Sequence, residues 1–138
     1  MELGLLAGVV VLSVVIGVVW SRRQGVVRGP RADGAQAPVD WAGRGVLLGE
    51  RTTFVQFSAQ VCAACRSTAR VLGTMSAPGS GVAHHEIDVE DDLALTGSLG
   101  ILRTPTTLVL DGDGREVARM SGAVTPAQAR EALTRGTT

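Results

Sequence analysis

Residues 52–65 read TTFVQFSAQVCAAC, a stretch that ends in a pair of cysteines. Its first six residues are mostly β-branched or aromatic, which predicts a strand over 52–57 that is buried on both faces. A short loop follows, and Cys62 opens a predicted helix that continues to about Ser76, just before the Pro and Gly of residues 77–81. The stretch therefore predicts a buried strand that leads directly into a helix with two cysteines in its first turn.

The spacing of Cys62 and Cys65 is typical of thiol–disulfide exchange. Unpaired N–H groups and the helix dipole at a helix N-terminus stabilise a thiolate on Cys62. Cys65, one turn later, lies close enough to attack a mixed disulfide formed there. The pair could instead be half of a zinc site, with nitrogens from His84 and His85, although the chain has no second CxxC motif. It could also be two inert core residues. We predict a redox-active pair and no metal site.

The rest of the chain alternates between strand and helix patterns. It predicts strands over 82–89, 106–110 and 115–120 and helices over 91–99 and 125–135. The DGDG sequence at 111–114 predicts a hairpin turn between the last two strands. The resulting order β-α-β-α-β-β-α indicates an α/β domain, with a central mixed sheet flanked by helices.

Three motifs in this order resemble the thioredoxin superfamily. They are TFVQF running into CAAC, HHEIDVE at 84–90, and GILRTPTTLVLDGDGRE at 100–116. The resemblance covers about residues 50–135 and implies a thioredoxin-like fold, whose usual first strand and helix would be shortened to residues 39–50.

The last of these motifs carries a further implication about substrate binding. Thioredoxin-like proteins place a cis-proline opposite the dithiol, and Pro105 matches that position. The resemblance therefore implies that the Thr104–Pro105 peptide is cis. It also implies that backbone groups of Thr104 pair with an extended substrate segment beside the disulfide.

Two positions depart from the family pattern beneath the cysteines. The family keeps a buried Asp six residues before the first Cys, as a proton acceptor for the second, and this position is Gln56 here. A buried Lys of the family falls at about His84, whose imidazole titrates near neutral pH. Gln56 and His84 are therefore candidate members of a proton relay. The alternative is a buried amide satisfied by backbone and a strand His that is merely packed or exposed. His85, on the opposite face, has no predicted role.

Residues 3–20 contain no charged side chain, and twelve of these eighteen residues are Val, Leu or Ile. A helix of this length reaches about 27 Å, close to the ~30 Å of a bilayer's hydrocarbon core. Trp20 and the arginines that follow it fit a membrane interface. This pattern predicts a transmembrane anchor. A cleaved secretory signal and a buried core helix are the alternatives, but a signal would carry positive charge before its apolar stretch.

Residues 21–44 carry five Arg and two Asp among scattered Gly and Pro, with no helical or strand period. They are predicted to be a flexible linker before the thioredoxin-like domain of residues 45–138. Val39 and Trp41 are expected to dock on that domain. Because the arginines follow the apolar segment, the positive-inside rule predicts a single-pass protein of the cell membrane with a cytoplasmic domain. The same arginines can attract anionic membrane lipid.

The formal net charge of the 138 residues is zero, which argues against nucleic acid as a partner. The resemblance implies a thiol–disulfide oxidoreductase without a cofactor, and the apolar segment implies that it is tethered to a membrane. Its Cys62–Cys65 pair would exchange with protein thiols and disulfides and be regenerated by an upstream electron donor. In the reducing cytoplasm it would act as a reductase, whereas an outward-facing domain would serve disulfides outside the membrane. The alternative from another class is a non-catalytic thioredoxin-fold module that binds a partner or, through its CxxC motif, a metal.

Overall fold

The sheet is built around the strand that the sequence singles out. The computed structural model describes residues 2–30 and 38–137; residues 31–37 of the predicted linker lie outside this description. Within the described residues the helices are α1 (Glu2–Arg23), α2 (Ala63–Met75), α3 (Leu93–Ser98) and α4 (Pro126–Gly136). The strands are β1 (Val27–Arg28), β2 (Thr52–Ser58), β3 (Val82–Asp88), β4 (Thr106–Asp111) and β5 (Glu116–Ser121). Apart from β1, each of these strands and helices was predicted. The ends of α2 to α4 and β2 to β5 differ by at most two residues, and α1 continues three residues beyond the predicted end at Trp20.

The strands lie in the order β1-β5-β4-β2-β3. β2 runs parallel to β3, and the pairs β2–β4, β4–β5 and β5–β1 are antiparallel, which confirms the predicted mixed sheet. The registers pair Phe57 with Thr106, Thr106 with Ser121, and Met120 with Val27. Hence β2 ends, β4 begins, β5 ends and β1 begins at one edge of the sheet. We call it the cysteine edge, because the Cys62 loop follows β2 there.

All seven residues of β2 are buried, because both faces of the sheet are covered. Phe54 packs in a cluster that also holds residues of α2 and α4. Val55 and Phe57 face the other way, into a cluster that holds α3 residues and Trp41. This alternation is the two-residue period of a strand. Gln56 shares the face of Phe54 and is fully buried, so β2 carries a polar side chain beneath α2.

Two helix starts follow from capping side chains. Thr125 and Gln128 form a capping box at α4, and Pro126 occupies the first helical position. The carboxylate of Asp92 accepts from the backbone N–H of Leu95 at 2.9 Å and caps α3. That hydrogen bond holds the pKa of Asp92 below its usual value, with a smaller contribution from Arg44.

The structure differs from the prediction at the start of the predicted linker, over residues 21–28. Helix α1 continues to Arg23, and after only three residues Val27–Arg28 form an edge strand on β5. The N–H of Gly25 donates to the carbonyl of Ser121, and the side chain of Gln128 donates to the carbonyl of Gln24, both at 2.9 Å. A strand of two residues is too short to show a sequence period. It forms because β5 offers an unpaired edge. The first strand thus lies at 27–28, not within 39–50.

The segment over residues 39–50 contains a short 3₁₀ turn, Ala42–Arg44, instead of a strand and helix. Trp41 docks on the domain as predicted: it is 5% exposed, and its Nε1 donates to the carbonyl of Gly114 at 2.9 Å. Gly114 has a φ of +80°, and a Cβ there would lie 3.1 Å from the indole. Glycine is therefore needed both for the hairpin turn and for the close approach of Trp41.

Helix α1 is exposed from Gly4 to Arg23, so the alternative of a buried core helix is wrong. Among the described residues it is the one helix long and apolar enough to cross a membrane. A cleaved signal sequence would pass the same test of length and composition, so that alternative stays open. Apolar side chains cover all sides of α1, as expected for a helix that is surrounded by lipid.

Candidate active site at Cys62 and Cys65

Cys62 and Cys65 form a disulfide at the start of α2, with Cα atoms 5.2 Å apart. Cys62 is the N-cap of this helix, and its Sγ accepts a hydrogen bond from the backbone N–H of Cys65 at 3.1 Å. Free N–H groups at a helix start favour negative charge. Once the disulfide is reduced, the sulfur of Cys62 is therefore placed where a thiolate is stabilised.

The two sulfur-bearing residues differ in access to solvent. Cys62 is half-buried, whereas Cys65 is only 2% exposed, within the first turn of α2. Val61, immediately before the pair, is 97% exposed. An approaching thiol can therefore reach Cys62, while β2 and α2 shield Cys65.

The loop before β4 lies at the same cysteine edge as the disulfide. The Thr104–Pro105 peptide bond is cis, and the carbonyl of Pro105 accepts from the N–H of Gly122 at 2.7 Å. Thr104 is half-buried. Within the part of the chain that the structure describes, no group hydrogen-bonds to the main chain of Thr104. Its N–H and C=O are thus available to an extended chain that approaches along this edge.

A polar network lies behind Cys65, with Gln56 at its centre. The two hydrogens of Gln56 Nε2 are shared among three acceptors, which are the backbone carbonyl of Cys65 at 2.9 Å, Ser58 Oγ at 2.9 Å and Glu86 Oε1 at 3.1 Å. The Ser58 hydroxyl donates to the same Glu86 oxygen at 2.8 Å. On its other side, Gln56 Oε1 faces Nε2 of His84 at 3.2 Å. The network joins β2, β3 and the first turn of α2.

The orientation of the Gln56 amide fixes the tautomer of His84. The Cys65 carbonyl and the Glu86 carboxylate accept hydrogen bonds, so the amide nitrogen must face them and the amide oxygen must face His84. The Nε2 of His84 therefore carries a hydrogen, and Nδ1 is the ring nitrogen left to accept a proton. Burial lowers the pKa of His84 below its ordinary 6.5, while Glu86 raises it and His85 lowers it by smaller amounts. The imidazole is thus neutral at pH 7.

The structure places both candidate relay residues in the network behind Cys65. Gln56 contacts the carbonyl of Cys65, and His84 contacts Gln56; in the described residues neither contact reaches a sulfur atom. The relay role of these residues therefore stays a prediction. The bonds of Gln56 also fit the alternative, a buried amide satisfied in part by backbone.

The described residues, 2–30 and 38–137, contain no group of three His, Cys, Asp or Glu side chains arranged to hold a metal ion. The two histidines face opposite sides of β3. His84 faces Gln56, whereas Nε2 of His85 lies 2.9 Å from the carbonyl of Leu47. A zinc site would require the histidines to converge on the cysteines, and these two side chains do not.

Comparison with known proteins agrees with this geometry. The thioredoxin-like domain family matches residues 46–137. The chain belongs to this family. The thioredoxin of Malassezia sympodialis has the same fold, with a TM-score of 0.56 and 21% identity over 79% of this chain and 95% of that one. The thioredoxin of Fasciola hepatica is 30% identical, with a TM-score of 0.55, over 64% of this chain and 83% of that one. The thioredoxin of Nicotiana alata is 29% identical, with a TM-score of 0.54, over 62% and 74%.

Family membership and the CxxC disulfide together define the class of activity. This thioredoxin-like protein is a thiol–disulfide oxidoreductase, as the sequence predicted. It differs from the family pattern around the disulfide, because Val61 stands in place of the Trp before the first cysteine. It also differs beneath the disulfide, where Gln56 stands in place of the buried Asp.

Sequence reasoning missed two members of the network, Ser58 and Glu86. A signal for both was present. Glu86 is two residues beyond His84 on a strand, which puts their side chains on one face, and Ser58 is likewise two residues beyond Gln56. The parallel register, which pairs Gln56 with Glu86 and Ser58 with Asp88, brings these faces together and could not be read from either strand alone.

Proposed function

We propose that this thioredoxin-like protein is tethered to the cell membrane by α1 and reduces disulfides in other proteins. The observation that carries the proposal is the asymmetry of the disulfide at the start of α2. Cys62 caps the helix and is accessible, whereas Cys65 is 2% exposed. An accessible sulfur at a helix start suits a nucleophile, and a buried neighbour suits a resolving thiol.

In the reduced enzyme, the Cys62 thiolate attacks one sulfur of a substrate disulfide. A bond forms between that sulfur and Sγ of Cys62, the substrate S–S bond breaks, and the second substrate sulfur leaves as a thiolate that takes up a proton. Cys65 then loses its proton and attacks Sγ of Cys62, which closes the Cys62–Cys65 disulfide and releases the first substrate sulfur. Two electrons pass to the substrate, and an upstream thiol donor reduces the enzyme again by the same exchange in reverse.

The loss of the Cys65 proton is the step in which the polar network would act. Gln56 has no titrating group, so its proposed role is to hold the backbone of Cys65 and the ring of His84 in one arrangement. His84, which is neutral at pH 7, is the proposed base, and Gln56 lies between its ring and Cys65.

Thr104 and Pro105 are the proposed substrate-binding residues. They lie in the loop that enters β4 at the cysteine edge, and the main chain of Thr104 has free hydrogen-bonding groups among the described residues. An extended substrate segment could add to this loop as a further strand would, with its disulfide directed toward Cys62. Backbone pairing of this kind accepts many side chains, which suits an enzyme with several protein substrates.

The proposed side of the membrane follows from charge. Arg22 and Arg23 end α1, and Arg28 follows on β1, so the positive-inside rule favours a cytoplasmic domain. The reducing poise of that compartment favours the dithiol form and hence the reductase direction. A reporter that is active only outside the membrane, fused to the C-terminus, should be silent. Strong reporter activity would overturn the cytoplasmic placement.

The decisive experiment traps the intermediate. In the full chain with Cys65→Ser, the mixed disulfide on Cys62 cannot be resolved, and membrane fractions should contain substrates that are covalently linked to the enzyme and released by a reductant. Cys62→Ser is the matched control and should trap nothing. Equal trapping by both variants, or none by either, would contradict the proposed roles.

A further inference from the structure

A cleft of about 410 Å³ lies at the cysteine edge, between β1 and the loop before β4. Four arginines line it from separate parts of the chain. Arg23 ends α1, Arg28 belongs to β1, Arg103 precedes the cis-proline, and Arg119 belongs to β5. No acidic side chain is among the lining residues that the structure describes. The cleft therefore gathers positive charge in a chain whose net charge is zero.

These arginines are not equally compensated. Arg119 pairs with Glu116 at 2.8 Å and also donates to the carbonyl of Leu99 at 2.8 Å, so it is fixed and neutralised. Arg23, Arg28 and Arg103 have no ion pair with any residue that the structure describes. Like charges around one cleft repel each other, and a bound anion would relieve that repulsion. The guanidinium fork matches a phosphate group with two hydrogen bonds.

The position of the cleft relative to α1 indicates where the anion comes from. Arg23 is the last residue of α1, and the four steps of chain from it to Val27 span at most about 14 Å. The hydrogen bonds of Gln24 and Gly25 hold this passage against the domain. With α1 across the bilayer, the cleft lies at the level of the lipid headgroups. Leu102 also lines the cleft and is 92% exposed, as an apolar residue at a membrane surface would be.

We propose that this cleft binds the phosphate group of an anionic membrane lipid and so holds the cysteine edge against the membrane surface. The inference rests on the proposed anchor. Arg28 and Arg103 hold the phosphate from two sides, and Arg23 adds charge at the helix end. Free inorganic phosphate offers the same chemistry, and the experiment below distinguishes the two sources.

The test uses the full chain reconstituted into nanodiscs. One set contains phosphatidylcholine alone, a second an equal mixture of phosphatidylcholine and phosphatidylglycerol, and a third phosphatidylcholine with added inorganic phosphate. Each set is treated with phenylglyoxal, and modification of each arginine is followed by mass spectrometry. Modification of Arg28 and Arg103 should be about fivefold slower in the anionic discs, the effect expected for one arginine beside an anionic surface. The exposed Arg130 on α4 is the internal control and should react at one rate in all three.

Two variants sharpen the result. Arg103→Gln should remove most of the protection of Arg28 in anionic discs, whereas Arg130→Gln should leave it intact. Equal protection by inorganic phosphate in neutral discs would overturn the assignment to lipid, and equal rates at Arg28 in neutral and anionic discs would overturn the site itself. Release of the chain from membranes by alkaline carbonate is a different failure. It would overturn the anchor and the lipid assignment together, whereas a retained but unprotected chain overturns only the cleft.

Discussion

Cys62 and Cys65 share one disulfide but lie in opposite surroundings. Cys62 caps α2 beside the fully exposed Val61, with the N–H of Cys65 directed at its sulfur. Cys65 is buried, and its carbonyl is held by Gln56 in a network of polar side chains. The exposed cysteine therefore needs little more than a helix end. The buried cysteine depends on side chains from two neighbouring strands, and one of them, Gln56, stands where the family has a buried Asp.

The largest expected effect concerns the two thiols of the reduced protein. Cys62 should be alkylated at pH 7 at least about tenfold faster than Cys65, because only the thiolate reacts and the helix start stabilises it on Cys62. Rapid alkylation with mass mapping of the full chain in detergent would measure both rates. Equal rates, or faster labelling of Cys65, would remove the asymmetry on which the roles are based.

A second prediction restores a carboxylate beneath Cys65. Gln56→Asp should accelerate decay of the Cys62 mixed disulfide in single turnover by about a hundredfold, the low end of the range for general acid–base catalysis. Gln56→Asn, with the same length and no charge, is the matched control and should not accelerate it. An unchanged decay rate in a folded Gln56→Asp protein would show that position 56 does not serve the buried thiol.

The same substitution should lower the free energy of unfolding, and the network shows why. Glu86 lies 3.1 Å from the Gln56 amide, so a new carboxylate there is buried beside an existing one. Adding Glu86→Gln should recover part of the loss, because it removes the like charge. Denaturant unfolding of the single and double variants would show this non-additivity. Strictly additive losses would mean that the two carboxylates do not interact.

A third, smaller effect follows from His84. Burial lowers its pKa in the folded protein below the ordinary 6.5, so the unfolded chain binds more protons there as the pH falls. His84 therefore favours folding least in acid, and the free energy of unfolding should decline between about pH 7 and pH 5. His84→Gln should flatten this decline, whereas His85→Gln, on the opposite face, should keep most of it. Denaturant titrations at several pH values would distinguish the variants.

The smallest expected effect isolates one charge in the network. Glu86 raises the pKa of His84 against the effect of burial, so Glu86→Gln should lower that pKa further. An NMR titration of the imidazole carbons would report it directly. A rise in the pKa of His84 would indicate that the network rearranges when the carboxylate is removed.

Much of the fold was open to prediction because the deciding signals are local. The apolar run of β2, the helix that starts at Cys62 and the capping box at Thr125 each depend on neighbours in sequence. The short strand β1 and the partnership of Gln56 with Glu86 depend on registers between distant segments. A two-residue edge strand has no pattern of its own, and a glutamate on a strand looks like any solvated charge. These features appear only when the sheet brings the strands together.

The three residues between α1 and β1 set the range over which the enzyme can act. A flexible linker of twenty-four residues would let the domain wander about 25–30 Å from its attachment point. Here Gln24 and Gly25 are hydrogen-bonded to the domain, so the attachment cannot stretch. If α1 spans a bilayer as proposed, the dithiol stays within a thin layer next to the membrane, where membrane-bound partners diffuse in two dimensions. Under the proposed tethering, partners in that layer experience a high effective concentration of Cys62, and freely dissolved proteins would have to come to the membrane to exchange their disulfides with it.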